Sequence, residues 1–181
     1  MALFSVVIGG IFSWNYWKQN VKEEYVSAKT DGFDSLEEME AASECIIRVK
    51  KESEQNSDAQ TNDGTIGYGC TMSDVKIEEV FYNTLGDEIQ KDKVIKIWEN
   101  EFQKGNVIYH IAGYEKMKIG EEYILFLRKS TSDDCFLSLG VVFGKVPVQE
   151  EVLSVFAKSH QEEMSPNVGI IAAKAREKYV K

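Results

Sequence analysis

The sequence predicts a mainly β protein: a small antiparallel barrel with flanking C-terminal helices and an N-terminal membrane-anchor helix. Three observations lead there. Tyr123-Ile124-Leu125-Phe126-Leu127 is an unbroken apolar run between Glu121-Glu122 and Arg128-Lys129. Side chains alternate across a strand, so Tyr123, Leu125 and Leu127 need burial on one side and Ile124 and Phe126 on the other. Val75-Lys76-Ile77-Glu78 alternates like a strand with one wet face, and the doubling Glu78-Glu79 marks a bulge that bends a strand at a barrel corner. After Val148 the apolar spacing changes from that of a strand to that of a helix.

Composition sets the outer bounds. A chain of 181 residues holds one domain with a real core plus an anchor. Its 43% hydrophobic and 28% charged residues are ordinary for a folded domain. The net charge is -9, from 21 Lys+Arg against 30 Asp+Glu, and an acidic surface repels phosphate backbones. No cluster of Lys and Arg interleaved with aromatics offsets that average, so nucleic acid is an unfavoured partner.

Residues 1–18 read as an uncleaved hydrophobic anchor, which would place the bulk of the chain outside the cytoplasm at a cell membrane. Ala2 to Phe12 carry no charge, and Trp14, Tyr16, Trp17 and Lys18 follow, as at a membrane interface. Ala2 to Trp17 as a helix would span roughly 24 Å, against a bilayer core of about 30 Å. A chain starting upstream of Met1 would account for that shortness and for the missing basic residues. Two alternatives stand beside the anchor: a cleaved signal, which lacks a small-residue cleavage site here, and a segment buried in the domain.

Residues 19–33 continue as a stalk, helical by the spacing of Val21, Tyr25 and Val26. The barrel then occupies 34–148. Asp34 or Ser35 caps a short helix with Leu36 and Met39 on one face. Cys45–Lys50 is the first strand, with Ile47 and Val49 on one face and Ile46 on the other. Lys51 to Tyr68 is a polar excursion between strands. Cys70–Tyr82 is the second strand and Lys93–Glu99 the third, with Ile95 and Ile97 alternating against Val94, Lys96 and Trp98. Lys104-Gly105-Asn106 turns into a fourth strand, Val107–Ile111, and Tyr114 to Lys118 connects it to the apolar run. Ser130 to Asp134 is a hairpin turn, Cys135–Leu139 a strand, and Gly140–Val148 ends the sheet with Pro147 at an edge. Residues 149–181 hold two helices, the first to about Glu163 and the second from Asn167 to Val180 with Ile170, Ile171, Ala173 and Ala175 inward or adjacent.

Few residues offer chemistry. Cys45, Cys70 and Cys135 form no CxxC pair and lie near no His, which argues against zinc. A Cys70–Cys135 bridge is geometrically possible; three buried thiols is the plainer expectation. His110 has no second His and no acid at motif spacing, and reads as a surface or edge histidine. The adjacent acids Glu78-Glu79 and Glu121-Glu122 diverge to opposite faces and make no carboxylate dyad. No nucleophile-elbow, P-loop, metalloprotease or dinucleotide motif is present. The sequence therefore predicts no catalysis, no metal and no cofactor. Four aromatics, Tyr82, Trp98, Tyr109 and Tyr114, are the candidate ligand-stacking residues, with barrel core as their competing role.

One strand buried on both faces, a bulge and a glycine corner fit an OB-like barrel. Ser35-Leu36-Glu37-Glu38, Ala42-Ser43-Glu44-Cys45-Ile46-Ile47-Arg48-Val49, Val75-Lys76-Ile77-Glu78-Glu79-Val80 and Lys118-Ile119-Gly120-Glu121-Glu122-Tyr123-Ile124-Leu125-Phe126-Leu127 carry a resemblance. Over about residues 34–148 they resemble uncharacterised surface proteins of Gram-positive bacteria and, more remotely, the barrel of tissue inhibitors of metalloproteinases and netrin modules. Those inhibitors bind zinc through an N-terminal Cys; here the nearest Cys45 lies inside a strand, so inhibition does not carry over. The expectation is a membrane-tethered, extracytoplasmic, non-catalytic binding module with a protein or cell-wall partner. The alternative is an OB-type binder of oligosaccharide or single-stranded nucleic acid.

Overall fold

The computed structural model describes residues 21–57, 69–149 and 167–180. In chain order the elements are β1 (Lys22–Val26), α1 (Leu36–Ala42), β2 (Cys45–Asn56), β3 (Thr71–Asn83), a 3-10 turn (Gly86–Glu88), β4 (Val94–Glu99), β5 (Glu101–Lys104), β6 (Val107–Ile111), β7 (Glu122–Lys129), β8 (Phe136–Ser138), β9 (Lys145–Pro147) and α2 (Asn167–Tyr179). The expected anchor, the expected helix to Glu163 and residues 58–68 of the polar excursion lie outside the described residues. Among the described residues no helix is long and apolar enough to cross a membrane.

Five strands close a barrel in the order β2-β3-β4-β8-β7, with β7 pairing back onto β2. Every seam is antiparallel except β4–β8, which is parallel. β9 adds to β7 at the edge, where Pro147 costs no ladder bond. The expected bulge is present. Arg48 pairs with Glu79 and Val49 with Ile77, so Glu78 is the extra residue, and Phe81 is a second one between Tyr82 and Val80. Together they bend β3 strongly enough to serve the barrel.

β7 divides the core as its alternation requires. Tyr123, Leu125 and Leu127 enter the barrel interior with Ile47, Val49, Val75, Ile77 and Ile97. Ile124 and Phe126 face outward into a second core with Leu36, Met39, Val146 and the inner face of α2. α1 begins where Ser35 Oγ accepts the Glu38 N–H at 3.2 Å and Glu38 Oε2 accepts the Asp34 N–H at 2.8 Å. Gly144 is needed for close approach: a Cβ there would sit 2.5 Å from the Leu139 nitrogen. α2 docks through Val168, Ile171, Ala172 and Ala175, whereas Ile170 is 55% exposed and Ala173 is exposed. The expected inward set was thus half right, rotated by about one position.

Three further expectations are corrected. The stalk at 22–26 is strand, not helix: β1 pairs in parallel with β6, in a sheet ordered β1-β6-β5. Five polar-rich residues have little helical drive of their own, and an open strand edge captures them. β2 runs on to Asn56, through the start of the expected polar excursion. β5, which the sequence reading passed over, forms a hairpin with β6 around Gly105.

Candidate functional site

Three neighbouring barrel strands turn from apolar to polar at one level. Inward along β2 come Ile47, Val49, then Lys51; along β3 Ile77, Val75, then Ser73 and Thr71; along β4 Ile95, Ile97, then Glu99. All of them are buried. The Lys51 ammonium donates to Glu99 Oε1 at 2.8 Å, to Glu54 Oε2 at 2.5 Å and to the Met117 carbonyl at 2.7 Å. Those are the three protons a lysine has. Glu99 is equally committed. Oε1 accepts from Lys51 and the Ser73 hydroxyl; Oε2 accepts the Tyr114 hydroxyl at 2.9 Å and the Met117 N–H at 2.6 Å. Charge, countercharge and both oxygens are balanced within the fold, which is what makes a fully buried ion pair tolerable.

A second buried pair adjoins it. Glu101 Oε2 lies 3.2 Å from His110 Nδ1 and accepts the Lys116 N–H at 3.0 Å. His110 Nδ1 also lies 3.0 Å from the Tyr114 carbonyl. Burial alone would lower the His110 pKa, but Glu101 and that carbonyl outweigh it and raise it above its ordinary value. Burial likewise opposes the Glu101 charge, and His110 with the Lys116 N–H nevertheless holds its pKa below the usual range. His110 is therefore not the surface or edge residue expected: it is buried, and its acid comes from the neighbouring strand, where Glu101 registers opposite it.

Residues 114–118 are the strap that these acids hold. Glu99 takes the Met117 N–H, Glu101 the Lys116 N–H, and the Tyr123 hydroxyl the Lys118 N–H at 2.9 Å. A buried loop needs such acceptors. Above the strap, the Lys145 ammonium reaches the Glu115 carbonyl and sits 3.8 Å from the centre of the Tyr114 ring. Burial pulls its pKa down to about 8 against the opposing pull of Glu99 and Glu101. Burial and then Glu99 push the Tyr114 phenol well above its ordinary range.

The four sequence-picked aromatics do not come together. Tyr114 is buried in the strap, and Tyr109 is buried against Phe102, ring centroids 5.0 Å apart. Tyr82 is 46% exposed but lies ten residues along β3 from Met72, the residue that pairs with Trp98. At about 3.3 Å per residue that is on the order of 30 Å of strand. Trp98 alone stands half-buried on the outer wall, its indole N–H donating to Asn100 Oδ1 at 3.1 Å. Its register partners make a row around the barrel: Met72 on β3, Trp98 on β4, Leu137 on β8 and Arg128 on β7. The ion pair Asp74–Lys96, at 3.1 Å, borders the row.

Cys45, Cys70 and Cys135 are free and buried, and burial raises the pKa of each, that of Cys45 to about 12. Among the described residues no group of His, Cys, Asp and Glu is placed to hold a metal ion. The sequence reading missed Lys51, Glu99 and Glu101. Their signal was opposite charge at inward positions, continuing the alternations Ile47-Val49-Lys51 and Ile95-Ile97-Glu99-Glu101. Among protein-family models and among curated proteins, nothing matches this chain.

Proposed function

We propose that the chain is a non-catalytic, OB-type binding module, held at a membrane by residues 1–18 with its bulk outside the cytoplasm, which receives a protein partner on the wall around Trp98. The observation that carries this reading is the contrast between two sets of side chains. The fully buried pair Lys51 and Glu99 spends its three protons and both carboxylate oxygens on groups of the fold itself. The outward row Met72, Trp98, Leu137 and Arg128 faces away from the core. Tryptophan and arginine beside apolar neighbours are the residue types that dominate binding at protein interfaces.

Support for the OB-type reading comes from the closed strand order β2-β3-β4-β8-β7 with its bent β3. Oligosaccharide or single-stranded nucleic acid is the weaker alternative. Those ligands use successive stacking aromatics, and Tyr109 and Tyr114 are packed inside. The acidic net charge of -9 adds to the case against nucleic acid.

Two measurements test the proposal. Fractionation of cells carrying the whole chain should place it with membranes and leave it open to protease added outside; a wholly cytosolic chain overturns the tether. Residues 21–181, which keep β1, should capture a surface protein from intact cells. Trp98→Ala should weaken that capture at least about tenfold, as loss of a central interface aromatic does. Capture unchanged by Trp98→Ala overturns the site. Trp98-dependent retention of wall oligosaccharide in place of a protein transfers the function to the alternative.

A further inference from the structure

β1 is held by very little. All five of its residues are exposed, and among the described residues it pairs with β6 alone. The Lys22 N–H donates to the Asn106 carbonyl and the Ala112 N–H to the Val26 carbonyl, each at 2.8 Å, closing the two ends of the ladder. The Tyr25 ring is stacked on the His110 ring with centroids 4.8 Å apart and planes 19° from parallel. His110 in turn is the only positive partner that Glu101 finds among its side-chain ion pairs within the described residues.

The charges around that imidazole are unbalanced. From β1 it meets the field of Glu23, and from β5 that of Glu101. Glu115, in the strap, acts on the stacked Tyr25 together with Glu23 and Glu101. On the positive side Lys116 acts on Glu101 from the strap, with its ammonium turned to Glu54 at 2.6 Å, and Lys145 lies near Glu101 and Glu115 from β9. Lys22 and Glu24, on β1 itself, complete the set of charges nearby in the chain. An imidazolium at His110 is thus the hub of an otherwise acid-rich corner, and one of those acids rides on β1.

We propose that β1 is a pH-gated clasp, closed on β6 while His110 is doubly protonated and loosened when it gives up its second proton. The geometry makes the gate local. Nδ1 keeps its proton in either state, because it faces two acceptors, Glu101 and the Tyr114 carbonyl. The proton that comes and goes is on Nε2, which is buried and has no hydrogen-bond partner among the described residues. Losing it removes the ring's charge from between Glu23 and Glu101, while Lys116 and Lys145 still act on Glu101 from the strap and β9. The strand that can move to relieve this repulsion is β1, because β5 and the strap are tied down elsewhere.

The sign follows from what β1 itself brings to the ring. Glu101 and the Tyr114 carbonyl stay beside His110 when β1 leaves, whereas Glu23 leaves with the strand. The part of the raised His110 pKa that Glu23 supplies gives the clasp a contribution that is complete in acid and fades as pH climbs through the value with β1 docked. A Glu101 pKa lowered by folding gives one that fails only as pH falls through its folded value. The clasp is therefore closed from below the ordinary carboxylate range to above the ordinary imidazole value, and opens on the alkaline side. If the reading of residues 1–18 as a tether holds, opening frees the chain from Lys22 to the buried Phe33 and lengthens the tether by some tens of ångströms. The clasp itself does not depend on that reading.

Hydrogen exchange on the intact chain, corrected for intrinsic rates, tests it. Amide protection in β1 and β6 should fall at least about fivefold between pH ~6 and pH ~8.5, while β2 and β7 hold theirs. His110→Gln should abolish the dependence. In a His160→Gln background, where His110 is the remaining imidazole, its titration by NMR should follow the exchange midpoint. Glu101→Gln should move that midpoint to lower pH. Protection of β1 that is flat across this range, or that falls in step with β7, or that keeps its pH dependence in His110→Gln, overturns the clasp.

Discussion

The barrel interior has two halves built from the same three strands. Toward one end β2, β3 and β4 bury Ile47, Ile77, Ile95 and their neighbours, carbon against carbon. Toward the other they bury Lys51, Ser73 and Glu99. The apolar half gains stability in proportion to area, at about 25 cal/mol per Å² removed from water, and is indifferent to direction. The ionic half gains little net free energy, since the desolvation of two charges offsets their attraction. What it supplies is direction: four donors from three different segments, β2, β3 and the strap, must converge on one carboxylate. The first half holds the barrel closed. The second fixes where the strap at 114–118 lies, and with it the corner that carries His110.

The sharpest way to break this comparison is to remove one member of the ionic half. Lys51→Met takes the ammonium away from the fully buried Glu99 and should cost about 3–5 kcal/mol in urea or thermal unfolding. Glu99→Gln should cost less, because Lys51 keeps its ion pair with Glu54. The double substitution Lys51→Met with Glu99→Gln should cost less than the sum, with a coupling of about 1–3 kcal/mol. Additive losses would show that the two groups do not act as a pair. Loss of order confined to 114–118 in exchange measurements would show the directional role directly.

The apolar half answers differently. Leu125→Ala removes buried carbon from the interior side of β7 and should cost about 2–5 kcal/mol, the spread reflecting how far the cavity collapses. No coupling to Lys51→Met is expected beyond about 0.5 kcal/mol if the halves are independent. A strong coupling would mean that the strap and the barrel wall fold as one packed unit.

How far the sequence revealed this molecule follows the same division. The alternation of Tyr123–Leu127 divided the run into the two sets that the two cores receive, because a strand buried on both faces must split that way; which set enters the barrel was not written in it. The bulge at Glu78 was legible because the alternation stumbles there. β1 was not, because Val21, Tyr25 and Val26 share a helical spacing by chance. Its strand state comes from β6, 85 residues away (Lys22 to Val107), a pairing with no local trace. The ionic cluster was written as charge at inward positions, but a charge in sequence reads as solvent-facing until a partner is known. His110 failed for the same reason: its acid lies across a hairpin, not at a motif spacing.

The gentlest test separates the halves best. Ile77→Val deletes one methylene from the interior of the apolar half, where Ile77 is fully buried. It keeps the β-branch that suits a strand, creates no polar orphan and touches no charge. The expected loss is about 0.5–1.5 kcal/mol, with the slope of the denaturation curve unchanged. The variant should also leave the exchange of 114–118 and the titration of His110 where they were. If so small a change at the carbon end shifted the His110 titration, then packing pressure would be reaching the imidazole through the barrel wall, and the clasp would be answering to the core as well as to pH. If it shifts neither, stability has been lowered without moving the strap, and the orientation of that corner rests with the buried ions alone.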